Sequence, residues 1–124
     1  MVRSLNAATG DADIKVNAIA PAAVTRMGGG DDGPPPANMD PALVAPMAAY
    51  LAHESCPVSG EVFAAGSGRF TKVFIAETEG YIHPDLSPTI EDVAAHWAEI
   101  TDESNYWVPP NLMGWAKHFN AHLS

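Results

Sequence analysis

Basic residues are scarce in this chain. Six Lys and Arg stand against fifteen Asp and Glu, a formal net charge of −9 over 124 residues. Affinity for nucleic acid comes mainly from Lys and Arg neutralising phosphates, so this balance argues against such a partner. Cysteine is nearly absent as well. With Cys56 alone no intrachain disulfide can form, which fits a reducing compartment. No apolar run reaches the length of a membrane span or of a signal-peptide core. The final residues HLS differ from the peroxisomal tripeptide SKL, so the expected location is the cytoplasm. No carboxylate or cysteine cluster completes a four-ligand metal set. His118 and His122 have the spacing of a zinc-protease helix, but Phe119 stands where that motif needs Glu. A composition 47% hydrophobic and 17% charged belongs to a soluble globular chain the size of one domain.

The stretch with the most to say is residues 14–27, IKVNAIAPAAVTRM. Ile14, Val16 and Ile19, with small Ala18 and Ala20 between them, suit a strand covered on both faces in a parallel α/β sheet. Pro21 cannot donate to a ladder, which predicts that the strand ends there. Ligands of open parallel sheets bind just beyond the carboxyl ends of the strands, so the residues after Pro21 fall where a cofactor would touch. The thirteen residues GGGDDGPPPANMD that follow hold four Gly and three Pro in succession. Such a segment buries no apolar surface and predicts a mobile loop over 28–39. Gly28, Gly30 and Gly33 spell G-x-G-x-x-G, but prolines follow where a dinucleotide fingerprint needs a helix, so the match is rejected.

Asp40-Pro41 marks a helix start, with Val44, Met47, Ala48 and Leu51 on one face and Pro46 loosening the first turns. Glu61 to Ala65 predicts a short strand ended by Gly66-Ser67-Gly68, whereas Phe70 to Ala76 fits either a strand or irregular chain. Thr89 with Asp92 imitates a capping box at the head of a helix over 89–101. Asn111 to Leu123 is a further candidate helix, and Gly10 suits the stop of a short opening one.

VNAIAPAAVTRM resembles the sixth-strand motif of the short-chain dehydrogenases/reductases. PALVAPMAAYLAHESC and SGEVFAAGSGRF resemble the last large helix and last strand of that fold. The P-x-x-x-[ST]-R-M run, HESC and TIEDVAAHW narrow the resemblance to the hydroxyacyl-CoA dehydrogenase part of peroxisomal multifunctional enzymes and bacterial relatives. It covers residues 1–103, with a tail and candidate helix over 104–124. It implies an α/β fold, the C-terminal portion of a Rossmann-like doubly wound parallel sheet holding its last two strands and flanking helices, incomplete as a domain.

The resemblance further implies an NAD- or NADP-dependent dehydrogenase acting on 3-hydroxyacyl-CoA type substrates. Pro21, Ala22, Val24 and Thr25 would be the cofactor-binding residues, with the Thr25 hydroxyl near the nicotinamide carboxamide. Ala22 stands where the family usually has Gly. Asn17 reads as structural, joining strand to loop. The family's catalytic Tyr-x-x-x-Lys does not occur: Glu54, Asp85 and Pro110 stand four residues after Tyr50, Tyr81 and Tyr106. No Gly-rich phosphate turn lies between a strand and a helix either. The expectation is therefore a fragment inactive alone, or else a non-catalytic subunit pairing with a catalytic dehydrogenase chain. Either way, self-association or a dehydrogenase partner is expected to cover the opening strand, with no nucleic acid and no membrane involved.

Overall fold

The computed structural model describes residues 1–25, 33, 34 and 36–123. Half of the 28–39 loop, including Gly28, Gly30 and the Asp31-Asp32 pair, lies outside the described residues. The chain divides into two compact units, Met1–Phe74 and Ile75–Ser124.

The first unit is mixed α/β. Helix α1 (Val2–Thr9) ends at Gly10. Strand β1 (Ala18–Ala22) pairs in parallel with β2 (Val62–Gly66), and β2 pairs antiparallel with β3 (Arg69–Val73). Between β1 and β2 come two 3₁₀ turns, Ala37–Met39 and Pro41–Leu43, and helix α2 (Ala45–Leu51). Asp40 caps the second turn, its carboxylate accepting from the Ala42 amide at 2.7 Å. Pro46 lies in the first turn of α2, where its missing N–H costs nothing, so the expected loosening takes the form of a 3₁₀ lead-in.

Two expectations for the opening strand are corrected. The strand does not end at Pro21, and it is not covered on both faces. The Ala18 amide donates to Glu61 at 2.9 Å, which turns Ala18, Ala20 and Ala22 toward β2 and leaves Ile19 and Pro21 on the other edge. A proline on an open edge forfeits no ladder hydrogen bond, so pairing continues to Ala22. Ile14 lies ahead of the strand and is 59% exposed, because no second layer covers it among the described residues. Only Cys56 and Ala65 are buried hydrophobic side chains there.

The ambiguous segment after Gly66 resolves into a hairpin. Ser67 and Gly68 both take positive φ, 51° and 72°, the geometry of a two-residue turn whose twist matches antiparallel strands. Gly66 has a separate constraint, since a Cβ there would lie 2.0 Å from the Ala22 carbonyl oxygen.

The second unit holds a short antiparallel ribbon, β4 (Glu77–Thr78) with β5 (Tyr106–Trp107). Helix α3 (Ile90–Ala95) opens with the expected capping box: the Asp92 amide donates to the Thr89 hydroxyl, and the Thr89 amide donates back to the Asp92 carboxylate at 2.9 Å. The helix over 89–101 is not continuous. It breaks at His96, whose ring turns back to the Asp92 carbonyl at 2.8 Å, and resumes as α4 (Trp97–Ile100). Helix α5 (Leu112–Phe119) starts at Asn111, whose side chain accepts from the Gly114 amide. A 3₁₀ turn, Ala121–Leu123, follows.

Two outcomes are expected from this architecture. Gly66→Ala should drive β1 and β2 apart at their carboxyl ends and cost about 1–3 kcal/mol, read as a lower denaturant midpoint; an unchanged midpoint would contradict the close packing. Hydrogen bonds from the Thr89 side chain and then its backbone hold the Asp92 carboxyl below its ordinary value of 3.8. A depressed folded value means that the cap contributes fully above that ordinary value and is lost as pH falls through the folded one. Amide protection of residues 90–95 should therefore drop below pH 3.8 in the native chain, while Asp92→Asn should remove that pH step.

Candidate functional site

Asn17 builds the first site. Its side-chain amide donates to the Val58 carbonyl at 2.9 Å, and its carbonyl oxygen accepts from the Glu61 amide at 3.2 Å. The same amide lies 3.8 Å from the Cys56 sulfur, and the thiol faces the Val58 carbonyl at 3.6 Å. Two backbone ties precede it, Gly60 amide to Val16 carbonyl at 2.7 Å and Val16 amide to Ser59 hydroxyl at 2.9 Å. Lys15 adds its ammonium to the Glu54 and Cys56 carbonyls. Together these clasp the approach to β1 against the approach to β2, so the two strands run side by side and end together at Ala22 and Gly66.

Pro21 and Ala22 form the exposed carboxyl end of β1. The Val24 amide donates to the Met39 carbonyl at 3.0 Å, which folds the segment toward the 3₁₀ turn of residues 37–39. Val24 can thus offer a ligand its carbonyl or side chain, but not its amide. Thr25 is exposed, and its hydroxyl has no hydrogen-bond partner among the described residues. All four residues predicted to bind a cofactor lie in one short run at the ends of two parallel strands.

That arrangement fits a dinucleotide in its donor chemistry. A hydroxyl without a partner among the described residues and an exposed strand end suit an amide-bearing ring, and the close approach of Gly66 to Ala22 keeps side chains out of the seam between the strand ends. No group of three His, Cys, Asp or Glu among the described residues could hold a metal ion. His118 stacks on Trp107 at 4.1 Å and His122 faces the Phe119 carbonyl at 3.0 Å.

A second concavity lies wholly within residues 75–124. This groove of about 800 Å³ has apolar walls that include Ile82, Leu86, Val93, Ile100 and Phe119. His83 sits at its edge between two carboxylates, with Nδ1 2.7 Å from Asp85 and Nε2 3.6 Å from Asp92. Hydrogen bonds from Ser87 hold the Asp85 carboxyl below its ordinary value. Tyr81 stacks on His96 at 3.6 Å, and the Trp115 indole donates to Glu77. Sequence reasoning did not find this groove, because its walls come from segments that share no periodicity.

No protein-family model matches the chain. It is 41% identical over 95 residues to a Mycobacterium tuberculosis protein named as a short-chain type dehydrogenase/reductase, a match covering 74% of this chain and 32% of that protein. It is 35% identical over 99 residues to peroxisomal multifunctional enzyme type 2 of Drosophila melanogaster, covering 74% of this chain and 16% of the relative. The solved structure of that full-length Drosophila enzyme superposes with a TM-score of 0.76 at 25% identity, over 98% of this chain and 22% of the other. The chain therefore spans about a third or less of each of these proteins. The resemblance to short-chain dehydrogenases/reductases and to peroxisomal multifunctional enzymes stands, as does the α/β fold with its parallel strand pair.

Proposed function

We propose that this chain, similar over three quarters of its length to dehydrogenases of the short-chain type, contributes one wall of an NAD(P) site in an oxidoreductase for 3-hydroxyacyl-CoA type substrates. The observation that carries the reading is the placement of Pro21, Ala22, Val24 and Thr25 together at the carboxyl ends of the parallel pair β1–β2. A nicotinamide dinucleotide supplies the hydride acceptor or donor when bound. This chain's part is to orient it: the Thr25 hydroxyl would hydrogen-bond the carboxamide, while Pro21 and Ala22 present an apolar strand end to the ring. Proton transfer would fall to a Tyr-x-x-x-Lys pair and phosphate binding to a Gly-rich turn, and these 124 residues contain neither motif. We place the chain in the cytoplasm; no helix among the described residues is long and apolar enough to cross a membrane.

A reading of the chain as a pairing module is favoured by a specific observation. Strand β1 has one hydrogen-bonded neighbour among the described residues, and Ile14 ahead of it and Phe70 and Val73 on β3 of the same sheet are each more than two-fifths exposed. An open strand edge beside uncovered apolar side chains invites another strand. Covering them through self-association or a dehydrogenase partner would stabilise by up to about 1.5–3 kcal/mol per side chain.

Calorimetric titration of the purified chain with NAD or NADP should show no micromolar binding and no turnover of a 3-hydroxyacyl-CoA. Co-expression with a polypeptide carrying the Gly-rich turn and Tyr-x-x-x-Lys should give a complex that binds the cofactor. In that complex Thr25→Ala should weaken cofactor binding roughly 3- to 10-fold, the equivalent of one hydrogen bond. Tight binding or turnover by the chain alone would overturn the reading, as would a Thr25→Ala complex with unchanged affinity.

A further inference from the structure

The groove within residues 75–124 lies outside the dinucleotide reading, and its charge distinguishes among occupants. That unit carries eight Asp and Glu against one basic residue, Lys117, a formal net charge of −7 with His neutral. Glu77, Glu79 and Asp92 contribute to the groove lining and no Lys or Arg does. The Asp92 carboxylate is held in place by the Thr89 hydroxyl at 2.6 Å, so a negative charge is fixed at the groove's edge. The lining holds no Lys or Arg and only His83 stands against Asp92, so a phosphate-bearing or carboxylate ligand would meet net repulsion there. A neutral apolar ligand would supply no counter-charge to Glu79.

The shape narrows the choice further. Leu86 is 68% exposed, Ile82 56% and Phe119 51%, so the walls stand open to solvent. Small-molecule sites bury most of a ligand's surface, which walls this exposed do not accomplish. Open apolar walls with charges beside them suit a segment borne on a larger body, its apolar face laid inward and its charged flanks pairing outside. No helix among the described residues holds more than one Lys or Arg, so a second copy offers no helical segment of that kind.

We propose that the groove of residues 75–124 docks a basic amphipathic helical segment of a partner protein. Its apolar side chains seat against Ile82, Leu86, Val93 and Phe119, and its Lys or Arg side chains pair with Glu79 and Asp92.

The test uses the full chain and a synthetic Leu/Lys peptide with leucines at i, i+3, i+4 and i+7. Two control peptides accompany it, a scrambled Leu/Lys sequence of the same composition and a Leu/Glu counterpart. The amphipathic Leu/Lys peptide should bind saturably and shift the amide resonances of Ile82, Leu86 and Phe119. Binding should weaken roughly tenfold or more in high salt, because exposed charge pairs are screened. Glu79→Lys should weaken it comparably. So should Leu86→Asn, which removes an apolar contact while tolerating the positive φ of 59° at that position. Equal binding of the scrambled or Leu/Glu peptide would overturn the proposal. Shifts confined to Met1–Phe74, unchanged affinity in both variants, or a dimer that covers the groove would do the same.

Discussion

The clasp made by the Asn17 side chain is the constraint on which the first unit depends. Parallel strands cannot be joined by a tight turn, so their register must come from something other than the connection. Here residues 23–61 separate β1 from β2. The Asn17 carboxamide offers a donor and an acceptor in one plane and uses both, on the Val58 carbonyl and the Glu61 amide. With the Val16–Gly60 and Ala18–Glu61 backbone bonds on either side, Ala18 is locked opposite Val62, and the rest of the register follows. A hydrocarbon side chain at position 17 would leave the Val58 carbonyl and the Glu61 amide without those partners.

This clasp is what sets the two strand ends side by side. Because both strands run the same way and end together, Pro21 to Thr25 emerge at the carboxyl end, beside Gly66. Gly66 lets the strand ends approach closely, and the Val24–Met39 hydrogen bond holds Val24 against the 3₁₀ turn of residues 37–39. Among the described residues the far edge of β1 is open, with Pro21 removing one of its donors. Site and uncovered edge thus come from one strand, which ties the cofactor reading to the pairing reading.

Features set by neighbouring residues were legible in the sequence. The Thr89–Asp92 capping box and the Asp40-Pro41 start rest on hydrogen bonds between near neighbours, and the stop at Gly10 on its positive φ of 54°, whereas Asn17, expected to join strand to loop, instead ties the approach to β1 to Val58 and Glu61. Features that depend on what lies alongside were not. Whether Pro21 ends a strand depends on which edge it faces, and only the pairing with β2 decides that. Whether Phe70 and its neighbours form a strand depends on the Ser67-Gly68 turn taking positive φ at both residues. The break at His96, where the ring reaches back to the Asp92 carbonyl, is not revealed by the apolar stripe of Ile90, Val93, Trp97 and Ile100. The groove of residues 75–124 joins Ile82, Val93 and Phe119 from separate elements, a juxtaposition no periodicity carries. The four candidate cofactor residues were found through a motif, whose spacing alone would have pointed only to a strand end.

The most direct test of the account is native-state hydrogen exchange on Asn17→Ala. Losing two partly buried hydrogen bonds, each worth about 0.5–1.5 kcal/mol, should lower the protection of Ala18–Ala22 and Val62–Gly66 together by about 1–3 kcal/mol. Residues 90–95, whose cap is local, should keep theirs. Unchanged protection in both strands would show that the parallel register does not rest on Asn17 and would remove the physical basis assigned here to the site at Pro21–Thr25.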